Sequence, residues 1–178
     1  TDSAARSIAP HVSPATVVLT LQNGVDNAEK INKVTGLVAL PTVVYAAAAL
    51  AGPGRMKHAG RGDLVIGKTP AEPAASVAAA FENAGVPCRL SDNIQGEIWQ
   101  KLVLNCASNA VTAVTRAGYA LAVRNQYTRQ MMIQAIEETV NVANAAGVRM
   151  PVSTPELTKQ LLDLFESYAG ARMFPSCW

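Results

Sequence analysis

The residues best suited to chemistry lie in one apolar segment, KLVLNCASNAVTAV, residues 101–114. An ammonium and two amides, those of Lys101, Asn105 and Asn109, interrupt it at intervals of four. If the segment is helical, they share one face, because each helical residue turns by about 100°. A buried polar group without a partner costs about 1–3 kcal/mol, and a buried lysine costs more. These three side chains therefore need partners or a function.

Two interpretations of this polar stripe are open from its geometry alone. In the first, Glu97, one step earlier on the same face, pairs with Lys101, and the asparagines bond to loop carbonyls. In the second, the stripe lines a cleft between two domains, where ligand pockets often form. Lysine would then donate a proton to a carbonyl oxygen or stabilise charge on it. The asparagines, which both donate and accept, would position a hydroxylated or carboxylated substrate.

Composition excludes several other classes of function. The 178 residues are 49% hydrophobic and 16% charged, which is typical of a folded protein rather than a disordered one. A net charge of +2 without a dense Lys/Arg run argues against nucleic-acid binding. The longest apolar run, residues 37–52, contains Pro41 and is shorter than the roughly 20 residues of a bilayer span, so we expect no membrane partner.

Cysteine usage and the start of the chain bear on the compartment. The three cysteines are widely spaced and form no C-x-x-C pair, so the sequence predicts neither a metal site nor a disulfide framework. No signal peptide is visible, and a reducing cytoplasm is the simplest expectation.

The first half of the chain has the pattern of an α/β domain. Strands are predicted over 16–21, 37–46 and 86–91, with a short helix after the Asn23-Gly24 turn signal. RMKHAG and DLVIG are predicted to form a hairpin that turns at the GRG of residues 60–62. A helix that ends at Gly85 precedes the last strand.

The second half is predicted to be helical throughout. A long helix capped by Ser91 or Asp92 should run to about Thr115, and two further helices should follow. A last helix has Thr154 as N-cap and Pro155 at its first position. The sequence thus predicts an α/β domain over residues 1–91 followed by an all-α domain over 92–178.

Several segments resemble the ketopantoate reductase (2-dehydropantoate 2-reductase) family. They are LQNGVDN after a buried strand, then HAGRGDLVIG, then EIWQKLVLNCASNAVTAVT, in the family's order and approximate spacing. The W-x-K-L-x-x-N-x-x-x-N pattern is the most specific of them. FPSCW at the end is similar to the family's Ser-Met-Leu-Gln-Asp segment. The resemblance covers essentially the whole chain, and it favours the cleft interpretation of the stripe.

The resemblance implies a role for each of the matched residues. Residues 1–91 would be the distal part of a Rossmann-type dinucleotide-binding domain, and the enzyme would reduce 2-dehydropantoate to pantoate with NADPH. Lys101 would be the general acid, and Asn105, Asn109 and Ser176 would contact the substrate. Asn23 would lie where cofactor and substrate meet, and the backbone of Ala47 would contact the cofactor.

The sequence also departs from the family. No G-x-G-x-x-G phosphate loop follows a first strand, so we expect the 178 residues to be an internal portion of an enzyme and inactive alone. Tyr119 stands where family members often carry a further substrate-side asparagine, and Cys177 replaces a methionine.

These differences keep two other hypotheses open. One is a reductase of another 2-keto or 3-keto acid. The other is a non-catalytic helical module for dimerisation or partner binding, which predicts that the polar stripe is satisfied internally. A homodimer through the helical domain is compatible with either enzyme hypothesis.

Overall fold

A computed structural model of the chain describes residues 1–68 and 73–168. Contacts between Cα atoms divide the chain into two compact units, Thr1–Ile94 and Gln95–Trp178. The domain limits predicted from the sequence, 1–91 and 92–178, stay a prediction. Each unit has its own core, as its sequence pattern requires.

The first unit has helices beside a mixed sheet, so its predicted α/β class is confirmed. Its four strands lie side by side in chain order, with parallel outer pairs and an antiparallel central pair. The elements are α1 Asp2–Ile8, a 3₁₀ turn Ala9–His11, β1 Val18–Thr20, α2 Asn27–Thr35, β2 Ala39–Gly52, β3 Arg55–Gly67, α3 Pro73–Asn83 and β4 Cys88–Ser91.

The predicted hairpin turn at residues 60–62 is wrong. Arg55–Gly67 is one continuous strand, and it pairs with β2 around a turn at Pro53-Gly54. The glycines that suggested a turn lie instead at irregularities of this strand pairing. The register of the pairing shifts between Tyr45 and Ala46 and between Ala47 and Ala48. Gly62 has a φ of 151° and Arg61 a φ of 53°, so the backbone kinks locally without reversing.

Short apolar segments build the core of the first unit. Leu64 and Ile66 alternate along β3 and are 6% and 0% exposed, and alanines of α3 let that helix pack closely against them. The strand predicted over 16–21 is shorter than expected, because only Val18–Thr20 pairs with β2. A second cluster joins α1, α2 and β2 through Ala5, Ile31 and Ala39.

The second unit consists of helices only among the residues that the structure describes, which confirms the predicted all-α half. The helices are α4 Ile94–Thr115, whose first residue belongs to the first unit, α5 Tyr119–Arg124, α6 Gln126–Ala145 and α7 Thr154–Ser167. Their core includes Val103, Met132, Ile136, Leu157 and Phe165, each at most 1% exposed. None of the described helices combines the length and the apolar character that a bilayer span needs.

The first residues of these helices differ in part from those predicted. The Asn125 side chain accepts from the backbone N–H groups of Tyr127 and Thr128 at 3.1 and 3.2 Å, which caps α6. The predicted start of α4 is early, because Ser91 is the last residue of β4 and its hydroxyl accepts from the Asn93 N–H. The cap of α7 is Ser153 rather than Thr154.

We predict that Gly67→Ala destabilises the protein by about 1–3 kcal/mol, because a side chain there is overpacked. A Cβ at Gly67 would lie 2.8 Å from Cγ2 and 3.1 Å from Cβ of Ile94. The free energy of unfolding in urea would measure this loss. Ile94→Ala is the matched partner: the double variant should lose less than the sum of the single losses. Additive losses would contradict the close contact.

Candidate functional site

Helix α4 presents three different faces, and the candidate site is on one of them. Val103 and Ala107 face the core and are 0% exposed. A second strip of the helix is exposed; its members are Cys106, Ala110 and Val114. The predicted polar stripe shares a third face, and its three residues are partly buried. The structure therefore brings Lys101, Asn105 and Asn109 together in one row.

The environment of Lys101 changes its proton affinity. Partial burial removes water from the ammonium group and lowers its pKa from the ordinary value of 10.5. Both Lys101 and Glu97 have an interaction partner within the structure. A lysine whose charged form is destabilised in this way is a stronger acid than one in water, and it keeps three N–H donors.

The two asparagines of the stripe differ in their surroundings. Oδ1 of Asn109 lies 3.3 Å from the hydroxyl of Ser108, which also donates to the Leu104 carbonyl at 2.9 Å. The Asn105 amide makes no hydrogen bond to any residue within 1–68 or 73–168. The Asn109 amide is thus partly held by a contact within the helix, whereas the Asn105 amide can bond to a ligand with all of its donors and acceptors.

Asn23 occupies a fixed turn after β1 in the first unit. Its backbone carbonyl accepts from Nδ2 of Asn27 at 2.9 Å, and the Thr1 hydroxyl donates to Oδ1 of Asn27 at 2.6 Å. Gly24 has a φ of 114°, and a Cβ there would lie 3.0 Å from Nδ2 of Asn27. The turn therefore needs glycine at position 24. The Asn23 side chain is exposed.

The other two predicted residues lie elsewhere. Ala47 is exposed in the part of β2 beyond its pairing with β1, at a register shift opposite Gly60. Ser176 lies outside the residues that the structure describes. The stretches 1–68 and 73–168 contain no group of three or more His, Cys, Asp or Glu that could hold a metal ion.

Sequence reasoning missed Ser108, which is fully buried directly beside Asn109. A small hydroxyl residue inside an apolar helix was the available signal, since such a side chain usually bonds to the carbonyl four residues earlier. Thr112, one turn on, is 1% exposed and donates to the Ser108 carbonyl at 2.8 Å.

Comparison with protein families gives two adjacent matches. The model described as Ketopantoate reductase PanE/ApbA matches residues 1–71. The model described as Ketopantoate reductase PanE/ApbA C terminal matches residues 93–176. Together they include every one of the predicted site residues, from Asn23 to Ser176.

Individual relatives are named 2-dehydropantoate 2-reductase. A 2-dehydropantoate 2-reductase of Halobacterium salinarum is 36% identical over 168 residues, which are 90% of this chain and 54% of that protein. One of Pyrococcus horikoshii is 31% identical over 166 residues, 92% of this chain and 54% of the relative. The chain thus spans about half the length of the curated relatives it matches.

Solved structures show the same fold. A ketopantoate reductase of Ralstonia eutropha JMP134 matches with a TM-score of 0.83 and 37% identity, covering 96% of this chain and 56% of that one. A D-mandelate dehydrogenase matches with a TM-score of 0.86 but 21% identity, covering 98% and 59%, so it shows the fold alone. The predicted fold class, the distal part of a Rossmann-type domain followed by a helical domain, is confirmed.

We predict that Lys101→Met raises the melting temperature at neutral pH. Since the folded-state pKa of Lys101 is lowered, the folded state binds its proton less tightly than the unfolded state does. The penalty is fully present below the lowered pKa and disappears as pH rises toward the ordinary value. The gain measured by calorimetry at pH 7 should therefore shrink near pH 10.

The exposed Lys159 of α7 supplies the control. Lys159→Met should leave the melting temperature nearly unchanged, because it removes no desolvation penalty. A lower melting temperature for Lys101→Met than for the wild type would contradict a net cost of burying this ammonium.

Proposed function

Because this chain belongs to the ketopantoate reductase family, we propose that its protein is a cytoplasmic enzyme that reduces 2-dehydropantoate to pantoate with NADPH. This reaction is a step of pantothenate and coenzyme A biosynthesis. The observation that carries the proposal is the row of Lys101, Asn105 and Asn109 on one partly buried face of α4. The row pairs a proton donor of lowered pKa with two amides that suit a hydroxylated keto acid.

Lys101 is the proton donor of the proposed reaction. Hydride adds to the ketone carbon, and the π electron pair of the C=O bond moves to the oxygen. That oxygen takes a proton from the Lys101 ammonium, which is left neutral and regains a proton from solvent. Partial burial helps both steps: it lowers the pKa of Lys101, and it strengthens the attraction between the ammonium and the developing negative charge.

The asparagines hold the substrate in the proposed complex. With its oxygen facing Ser108, the Asn109 amide has two N–H groups left to donate, which suits a carboxylate. Asn105, which no hydrogen bond fixes among the described residues, can donate or accept and therefore suits a hydroxyl. Ser176 would add a third contact to the substrate.

NADPH supplies the hydride when it is bound. The carboxyl end of a parallel strand is where open α/β sheets bind nucleotides, and the residues at the end of β1 suit a carboxamide. Asn23 exposes an amide on a fixed turn, and the buried Thr20 hydroxyl lacks a hydrogen-bond partner within the described part of the chain. Asn23 and the backbone of Ala47 are the proposed cofactor contacts.

We predict that Lys101→Ala lowers kcat for 2-dehydropantoate by about 10²- to 10⁴-fold, the usual contribution of a general acid. NADPH oxidation by the full-length gene product, followed by absorbance, measures this. Lys159→Met is the control and should retain wild-type rates. A wild-type rate no higher than that of Lys101→Ala would refute the assignment.

We also predict that kcat/KM falls with rising pH at a midpoint below 10.5, since the reaction needs protonated Lys101 and its pKa is lowered. The pH profile of NADPH oxidation would show this decline. Arginine keeps its proton throughout this range, so any residual activity of Lys101→Arg should lack the decline. If the wild type and Lys101→Arg showed the same midpoint, the decline would belong to another titrating group.

A related reductase of a different 2-keto acid is the second candidate function. The observation that favours this candidate is Tyr119, which takes the place of a substrate-side asparagine. Tyr119 is 6% exposed, so its side chain offers no polar group at the surface of the stripe. Rates with a panel of 2-keto acids would distinguish the candidates. A kcat/KM higher for another keto acid than for 2-dehydropantoate would favour the second.

A homodimer through the helical unit is a further part of the proposal. Large apolar side chains are exposed on α5 and α6: Leu121 is 64%, Tyr127 72% and Met131 57% exposed. Apolar surface of this kind is typical of a contact between proteins. Sedimentation of the full-length protein would show a dimer, and Met131→Glu should shift it toward the monomer.

A further inference from the structure

The pairing of β2 with β3 is irregular on both sides of Ala47. The register shifts between Tyr45 and Ala46, where Gly62 of β3 lies opposite no residue of β2, and it shifts again between Ala47 and Ala48. An irregularity of this kind bends the strand and increases its twist. The position of the Ala47 backbone, a proposed cofactor contact, therefore depends on where along the two strands these irregularities lie.

The sequence pattern by itself specifies this register weakly. Residues 46–49 are four alanines, and the stretch of β3 opposite them contains Gly60 and Gly62. Strands that are rich in glycine and lack a buried face are prone to slip into alternative pairings. The alanines at 46–48 are exposed, so burial of their side chains does not choose among the registers. A side-chain contact across the irregularity is needed to choose.

Arg61 makes a contact of this kind. Its guanidinium lies 3.9 Å from the centroid of the Tyr45 ring on the opposite strand. The same group donates to both carboxylate oxygens of Asp63, from Nε at 2.9 Å and from Nη2 at 2.7 Å. Tyr45 and Asp63 face each other on one side of the shift, and Arg61 lies on its other side. These three residues, the arginine clamp, thus hold the two strands together across Gly62.

The backbone of Arg61 adopts its conformation at a cost. Its φ of 53° is left-handed, which a residue with a Cβ adopts only with strain. Glycine would take this conformation freely, as Gly60 and Gly62 on either side do with φ of 152° and 151°. The side-chain contacts of Arg61 offset the cost, because a two-point bond with a carboxylate and stacking on an aromatic ring both fix the direction of the guanidinium.

We propose that Arg61 is a positioning residue, which fixes the register of β2 and β3 through the arginine clamp and so holds the Ala47 backbone in place for the nicotinamide cofactor. The inference rests on the proposed function in naming NADPH as the ligand at Ala47. Without the clamp, Gly62 enters the pairing opposite Ala46 and the irregularity moves along the strand. The bend then moves with it, and the Ala47 backbone is displaced.

The first test measures NADPH affinity of the full-length protein without turnover. Arg61→Gly removes the clamp but suits the left-handed backbone, so the free energy of unfolding in urea should change little. The Kd for NADPH, from a fluorescence titration, should rise about three- to tenfold, the effect of one neutral hydrogen bond to the cofactor. The kcat at saturating NADPH should stay near the wild-type value. An unchanged Kd in Arg61→Gly would overturn the proposal.

A double-mutant cycle tests whether Arg61 acts through the clamp. Asp63→Asn removes the two-point bond and should also raise the Kd for NADPH. In an Arg61→Gly background the same change should add nothing, because both residues belong to one contact. Equal losses in the two backgrounds would overturn the proposal.

Arg124→Ala is the matched control. Arg124 is also an exposed arginine that donates to a carboxylate, that of Glu166 at 3.2 Å, but it lies on a helix of the second unit. Its removal should leave the Kd for NADPH at the wild-type value. A rise as large as that of Arg61→Gly would overturn the proposal, because it would show that loss of a surface ion pair is enough.

Hydrogen exchange without ligand keeps this inference separate from the proposed function. Amide exchange of residues 46–52, on the strand opposite the substitution, should be faster in Arg61→Gly, because a loosened pairing opens more often. Arg61→Lys, which adds no glycine, should also exchange faster than the wild type, and Arg124→Ala should not. If the wild type binds no NADPH, the proposed function fails, while this faster exchange still supports the clamp. Unchanged exchange in Arg61→Gly would overturn the positioning role.

Discussion

The partial burial of polar groups along α4 is the constraint on which the second unit depends. One side of this helix packs Val103, Ala107 and Val111 into the core, each at most 8% exposed. The polar stripe lies on the same helix, so its side chains lose water whenever that core forms. The core residues of α6 and α7 must therefore supply enough apolar burial to offset the cost of desolvating an ammonium group. The packing that stabilises the second unit therefore also lowers the pKa of Lys101.

The first unit meets a different constraint, which concerns its backbone. A single strand, β3, pairs with β2 on one side and β4 on the other, and it is buried on both faces near its end, at Val65 and Ile66. Toward its start, the pairing with β2 shifts register, and Arg61 takes a positive φ there. Its guanidinium lies 3.9 Å from the centroid of the Tyr45 ring and bonds both oxygens of Asp63. These contacts hold an irregular strand in place.

The sequence allowed the long, strongly periodic elements to be predicted and failed where local signals were ambiguous. The helices of the second half and the cap at Gly85 follow from apolar periodicity and turn chemistry. The turn at residues 60–62 was wrong because glycine marks bulges as well as turns, and only the partner strand β2 decides between them. The row of Lys101, Asn105 and Asn109 followed from helical spacing alone. Ser108 was missed because only the packing of α4 against the other helices shows that this side chain is fully buried.

Tyr119 is a core residue at a position where the family resemblance places a substrate-side asparagine. An asparagine at this position could offer its own amide, whereas the tyrosine is 6% exposed and stacks its ring on Phe165. In the proposed complex, the substrate would meet two amides and a lysine of the stripe rather than three amides and a lysine. Because a side chain that is already held loses less rotational freedom on binding, the contact of Ser108 with Asn109 would offset part of that difference. Under the proposed function, a keto acid with fewer hydroxyl groups would lose the least, and the preferred substrate would then depend on how α5 packs against α7.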